Sequence, residues 1–177
     1  MKNITNPISV QKIYDGRIIQ VGLETFEMPN GNQVTHEIAR HIPAAAVLPI
    51  TDDGESVLLV YQFRPVLNQW FWEIPAGMID LKESPIDAAR RELIEETGWK
   101  AKRIEPYFTI HTAIGFTDEA IHVFKSLGLQ KSKKHLDENE VVEEHCFTRD
   151  QIKTMLQKRD ITDSKTMAAL SYWILGI

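Results

Sequence analysis

Two local signals bracket the stretch from Ser84 to Gly98 and leave it little choice but a helix. Ser84 is a good N-cap, Pro85 suits the first helical position, and Asp87 puts a negative charge in the first turn. Gly98 falls where a left-handed C-cap residue is expected. Ile86, Ala89 and Leu93 space out as one buried stripe, so the pattern predicts a helix over about 85–97. Glu92, Glu95 and Glu96 then share one face at i, i+3 and i+4. Like charges at that spacing cost roughly 0.2–0.5 kcal/mol per pair. In the C-terminal half the helix dipole adds about 0.3–1 kcal/mol for each anion. A helix built for stability alone would carry Lys or Arg there. One reading is a solvated acidic face, with Arg91 partly compensating Glu95. The other is that a cation closes the cluster. Carboxylates with a backbone carbonyl make an all-oxygen set, which suits the hard ions Mg²⁺ or Mn²⁺.

The forty residues at the N-terminus read as β-structure. Ile19, Val21 and Leu23 alternate with Gln20 and Gly22, Pro29-Asn30-Gly31 supplies turn chemistry, and Val34 to Arg40 is extended again. Such a hairpin is marginal by itself and must pack on the rest of the chain or on a second copy. Pro43 is the expected boundary, giving a β region over 1–42 and a main domain over 43–177. Ala44 to Ile50 and Ser56 to Phe63 are apolar runs joined by Thr51-Asp52-Asp53-Gly54, a second hairpin signal. Pro49 marks the first run as an edge strand or a bulge. Trp70-Phe71-Trp72 reads as core or interface packing. Further strands are expected over about 107–113 and 120–124, then a solvated charged loop over 131–144 leading into another strand. Helices follow over 148–158 and 163–175. Strands followed by helices at mixed spacing predict an α/β domain around a mixed sheet.

Charge and composition exclude several functions. With 20 Lys+Arg against 25 Asp+Glu, the net charge of −5 argues against broad nucleic-acid binding. An anionic substrate would need local cations. The lone Cys146 cannot form an intramolecular disulfide, which fits a reducing compartment. No apolar run approaches the ~20 residues of a membrane helix, and MKNITNPISVQ does not resemble a signal peptide. A soluble cytoplasmic protein, with no nucleic-acid or membrane partner, is therefore expected. Asn3-Ile4-Thr5 is then an accidental glycosylation match. Asp137-Glu138-Asn139-Glu140 resembles an EF-hand start, but Val142 stands where the turn glycine belongs. No Gly-x4-Gly-Lys-Ser/Thr phosphate loop occurs, which removes that kinase or helicase reading.

From Gly77 the chain runs Gly77-x5-Glu83-x7-Arg91-Glu92-Leu93-x-Glu95-Glu96-x-Gly98-Trp99. This resembles the Nudix box, the signature of hydrolases that cleave nucleoside diphosphates linked to another moiety. The resemblance implies a Nudix α/β/α sandwich with an N-terminal antiparallel β extension. It implies that the loop–helix–loop over 77–99 holds divalent cations, Mg²⁺ or in its place Mn²⁺, against a pyrophosphate. Glu92 and Glu96 would be the principal metal ligands, with the backbone oxygen of Ala76. Glu95 matches the third, more variable acidic position, Arg91 the arginine that orients the carboxylates, and Glu83 and Gly77 supporting positions.

Gln62-Phe63-Arg64-Pro65, Trp72-Glu73-Ile74-Pro75-Ala76-Gly77 and Ile161-Thr162-Asp163-Ser164-Lys165-Thr166 resemble the ADP-ribose pyrophosphatase branch and related nucleoside diphosphate sugar hydrolases. That likeness implies a homodimer exchanging the N-terminal sheet, with Arg64 and Glu73 facing the substrate. Tyr14 or Phe26 would stack the base across the dimer, or else pack in the core. Gly115-Phe116-Thr117-Asp118-Glu119 resembles the loop that carries the catalytic base, which points to Glu119, with Asp118 second and His111 a rival. The branch tends to carry Ser-Pro-Gly where this chain has Ala113-Ile114-Gly115, which leaves GDP- and UDP-sugars open beside ADP-ribose. The expected function is hydrolysis of a nucleoside diphosphate sugar, ADP-ribose first. The alternatives of other classes are a non-catalytic nucleotide-sugar sensor and an acidic structural domain that binds a protein partner.

Overall fold

The computed structural model describes residues 6–133 and 142–177. The 3–5 tripeptide, the 137–140 acidic run and the middle of the 131–144 loop lie outside the described residues. The chain divides into two compact units, Met1–Pro43 with His111–Ala120, and Ala44–Ile110 with Ile121–Ile177.

The first unit is an antiparallel sheet of β1 (Ser9–Asp15), β2 (Ile19–Glu27) and β3 (Gln33–His41), in the order β1-β2-β3. The predicted hairpin is present, with β2 and β3 in register from Ile19–His41 to Glu27–Gln33. The alternation in β2 is deceptive, however. Its buried residues are Gly22 and Glu24, while Ile19, Val21 and Leu23 are only half-buried. Glu24 is tolerated there because Arg40, on the neighbouring strand, grips both its oxygens. Every residue of β1 is exposed, Val10, Ile13 and Tyr14 included. The 111–120 segment is tied to β3 by the Ala39 amide, which donates to the Phe116 carbonyl at 2.7 Å.

The second unit holds β4 (Ala44–Pro49), β5 (Ser56–Arg64), β6 (Gln69–Glu73), β7 (Ala76–Met78), α1 (Pro85–Thr97), β8 (Trp99–His111), β9 (Ala120–Lys131), β10 (Val142–Thr148), α2 (Arg149–Lys158) and α3 (Ser164–Leu175). It contains a mixed sheet, β7-β4-β9-β8, and an antiparallel one, β10-β5-β6. β4 is central, antiparallel to β7 and parallel to β9, and it is buried on both faces. Ala45 and Val47 pack with Ala88, Ala89 and Leu93 of α1. Ala46 and Leu48 enter a larger core with Leu59, Ile74, Ile152 of α2 and Leu170 of α3. Burial on both faces explains why the β4 run is apolar throughout rather than alternating. Helices thus cover both sides of the mixed sheet, as the α/β sandwich expectation requires. No helix among the described residues is long and apolar enough to cross a membrane.

Three expectations about these strands need correction. Pro49 does not make β4 an edge strand or a bulge. It is the last residue of a central strand, where the missing amide costs the ladder least. The Thr51–Gly54 turn forms, with the Gly54 amide on the Thr51 carbonyl at 2.9 Å, but it does not make a hairpin. After the single Ile50–Val57 bridge its two arms part into different sheets. β8 starts directly after α1, well before the expected 107. As the border strand of its sheet it keeps Lys100, Lys102 and Arg103 exposed, and that polarity hid the strand.

Candidate active site

α1 forms as its punctuation demands. The Ser84 hydroxyl accepts from the Asp87 amide at 3.3 Å, and Gly98 adopts the left-handed conformation at φ 70° that closes the last turn. The stripe that packs on β4 carries Glu92 and Glu96 at its margin, which bears on the reading of a solvated acidic face. Glu92 is 8% exposed and Glu96 only 1%, so this is not a solvated face. Burying two carboxylates on one helix is costly unless partners meet them. β7 supplies some of those partners. The Ala76 amide donates to Glu96 Oε2 at 3.3 Å. At Gly77 the absence of a side chain is itself structural: a Cβ there would lie 1.9 Å from Glu92 Oε1 and 2.4 Å from its Cδ. Only glycine lets that carboxylate lie against the β7 backbone.

Arg91 organises the rest. Its Nε and Nη2 donate to the two oxygens of Glu83 at 3.0 and 2.9 Å. Its Nη1 donates to Glu92 Oε1 at 2.6 Å and Glu95 Oε2 at 3.0 Å, and Nη2 reaches the Met78 carbonyl at 3.0 Å. One planar fork therefore fixes three carboxylates and the end of β7, which a lysine could not do. The hydrogen bond from Arg91 holds the Glu83 carboxyl below the ordinary carboxylate range. Glu95 is the most exposed member of the acidic set, and Arg91 meets it from one turn earlier.

Arg64 and Glu73 lie in the same unit and pair with each other. Arg64 Nε and Nη2 donate to Glu73 Oε1 and Oε2, both at 2.7 Å. Burial pushes the Glu73 carboxyl up, but the Arg64 hydrogen bonds and the Lys165 charge outweigh it, leaving it below its ordinary value. Glu73 is therefore an anion that orients Arg64, while part of Arg64 remains exposed. Lys165 was visible in the sequence only as a letter in the closing motif. Its place beside Glu73, 92 residues away, had no local signal.

Glu119, Asp118 and His111 belong to the first unit. Asp118 is committed to structure, accepting from the His41 amide at 2.9 Å and from Arg40 Nη1 at 3.1 Å. Desolvation pushes its carboxyl up, yet those two donors hold it below the ordinary range. Glu119 accepts the Thr112 hydroxyl on Oε2 at 2.6 Å, with His41 Nδ1 3.5 Å from Oε1. His111 is exposed at the end of β8. Tyr14 is exposed and so is not core, whereas Phe26 is half-buried beside His36.

The donor chemistry around α1 fits a hard divalent cation. Glu92, Glu96 and the β7 backbone give oxygen donors only, and the cradle at Gly77 already accommodates one of the carboxylates. Among the described residues no three His, Cys, Asp or Glu side chains converge as a ready-made cage. Mg²⁺ does not require one, since it takes one or two carboxylates, several waters and substrate phosphates.

Known proteins are similar to this chain in sequence and in fold. The NUDIX domain family model matches residues 40–170. The ADP-ribose pyrophosphatase of Bacillus subtilis (strain 168) is 38% identical over 93% of this chain and 90% of its own. The methanol dehydrogenase activator of Bacillus methanolicus is 36% identical over the same shares. The crystal structure of an ADP compounds hydrolase superposes with a TM-score of 0.83, over 99% of this chain and 98% of that one. At 22% identity that last likeness concerns the fold alone.

Proposed function

Because this chain belongs to the NUDIX family, we propose that it is a pyrophosphohydrolase of ADP-ribose-type compounds, with ADP-ribose itself the leading substrate. Water adds across the pyrophosphate, one P–O bond of the bridge breaks, and AMP and ribose 5-phosphate leave. The observation that carries this reading is the pair of buried carboxylates laid against β7, Glu96 at the Ala76 amide and Glu92 at Gly77, where a Cβ would meet it. A divalent cation, Mg²⁺ or Mn²⁺, would neutralise the diphosphate and lower the pKa of a bound water. Glu92, Glu96 and the Ala76 carbonyl are its proposed ligands, with Glu95 at the variable third position.

The chain's own residues do the rest. Arg91 holds Glu92 and Glu95 in register and is itself braced by Glu83. Arg64, oriented by Glu73, presents a cation to the diphosphate, which an acidic protein must supply locally. Glu119 is assigned as general base by the likeness of its loop, and the engagement of Asp118 with Arg40 and the His41 amide favours it over that neighbour. The apolar side chains exposed along β1 support a homodimer built through the N-terminal sheet. The single Cys146 supports a cytoplasmic location.

Ile114, exposed in the 111–120 segment where proline is expected of ADP-ribose enzymes, favours GDP- or UDP-sugars as the second reading. A hydrolysis panel with Mg²⁺ and then Mn²⁺ separates these. It contains ADP-ribose, GDP-mannose, UDP-glucose, NADH, a dinucleoside polyphosphate and nucleoside triphosphates. Fastest release of AMP from ADP-ribose is expected, and a faster GDP- or UDP-sugar would move the assignment within the branch. Silence on every compound, with the fold stabilised by nucleotide, would make the protein a sensor instead.

A further inference from the structure

The first turn of α3 reaches the segment that runs into β7. Lys165 Nζ donates to Glu73 Oε2 at 2.5 Å and to Asp163 Oδ2 at 3.0 Å. The next residue, Thr166, accepts the Ile74 amide on its hydroxyl at 2.9 Å. Lys165 is 6% exposed and Glu73 3%. A helix N-terminus disfavours a cation and burying a lysine is expensive, and of the two carboxylates that meet Lys165 only Asp163 is local. Asp163 already caps the helix through the Thr166 amide. What Lys165 adds is a second cation on Glu73.

Glu73 transmits that contact. Both its oxygens are given to Arg64, and the bidentate pairing fixes the plane of the guanidinium through Nε and Nη2, with Nη1 making no hydrogen bond among the described residues. Further along, the Pro75 carbonyl accepts from the Val47 amide at 2.9 Å, and the Ala76 amide meets Glu96. The run from Glu73 to Ala76 is thus pinned at each residue, and two of the pins come from α3.

We propose that Lys165 is a positioning residue: from α3 it holds Glu73 in place, and Glu73 sets the plane in which Arg64 meets the diphosphate. The proposal rests on reading the site as a diphosphate-sugar hydrolase, and its test separates the two.

Steady-state kinetics on ADP-ribose with the full-length protein are measured for wild type, Lys165→Met, Lys165→Arg, Arg64→Ala and the Lys165→Met/Arg64→Ala double variant, with melting temperatures alongside. Lys165→Met raises KM by ~10-fold while kcat stays within ~3-fold, because ground-state and transition-state contacts through Arg64 weaken together. Lys165→Arg, which keeps the charge, recovers most of the loss. In the Arg64→Ala background Lys165→Met adds no further rise in KM, since the group it acts through is gone. An unchanged KM in folded Lys165→Met overturns the proposal, and so does an effect of equal size with and without Arg64. If Lys165→Met does not fold, the same criteria apply to Lys165→Gln, and failure of both to fold assigns Lys165 to stability and overturns it as well. Absence of both turnover and ADP-ribose binding in the wild type overturns the functional reading and this proposal together. Wild-type turnover with a failed coupling overturns the role of Lys165 alone.

Discussion

Replacing Gly77 by alanine puts one methyl group where the structure has no room for it. The new Cβ would lie 1.9 Å from Glu92 Oε1, 2.4 Å from Cδ and 2.9 Å from Oε2. Ordinary contact needs about 3.4 Å or more, so the carboxylate must retreat by roughly 1.5 Å. The atoms met are the far end of a flexible side chain, and the backbone of β7 can stay where it is. The stability cost therefore sits at the low end for overpacking, about 1 kcal/mol, which is ~2–4 °C in Tm for a chain of this length. The functional cost is out of proportion to it. Displacing a group at the reacting centre by ~1 Å costs on the order of 10²-fold, so kcat on ADP-ribose falls by about that factor. Differential scanning fluorimetry and AMP release read the two effects separately. A second variant, Gly77→Ala with Glu92→Ala, removes the clash and recovers the lost Tm but none of the activity. Wild-type kcat in Gly77→Ala would refute the close approach of Glu92 to β7 as a requirement for turnover.

Three further outcomes follow from named contacts. Arg91→Lys lowers kcat by ~10²-fold with KM little changed, because a single ammonium cannot hold Glu83, Glu92, Glu95 and the Met78 carbonyl at once; kinetics within threefold of wild type would contradict this. Glu119→Gln loses at least ~10-fold in kcat if Glu119 takes the proton from water, and a smaller loss removes it as the base. Glu73 has a folded pKa below its ordinary 4.5, so its contribution to stability is complete above that pH and is lost as pH falls through the lower folded value. Melting temperatures from pH 7 down to 3 should therefore fall less steeply for Glu73→Gln than for wild type, and parallel slopes would refute the ionised Glu73.

The residues that could be read in advance are those whose causes are local. Ser84, Pro85 and Gly98 set α1 at the bounds the structure has, and the helices expected over 148–158 and 163–175 form as α2 and α3, with Thr148 and Asp163 as their caps. The spacing of Glu92, Glu95 and Glu96 made the acidic face visible, but only the fold reveals that Glu92 and Glu96 are buried. Where the sequence misled, the deciding contact is distant. Thr51–Gly54 has honest turn chemistry, yet the strands it joins belong to different sheets because each finds better partners elsewhere, β9 for one and β10 for the other. Pro49 looked like an edge marker because propensity cannot tell the last residue of a strand from its middle. The Arg64–Glu73–Lys165 array joins β5, β6 and α3, and no periodicity encodes a contact of that kind.

The most direct measurement of the central claim is release of AMP from ADP-ribose by wild type and by Glu96→Gln, with Mg²⁺ and with a chelator. Glutamine keeps the size of the buried side chain and its acceptor oxygen for the Ala76 amide, so the fold should survive. Metal-dependent turnover is expected in the wild type and a loss of at least ~10²-fold in the variant, with a melting temperature close to that of the parent. Turnover that persists in Glu96→Gln, or that ignores the chelator, would contradict it.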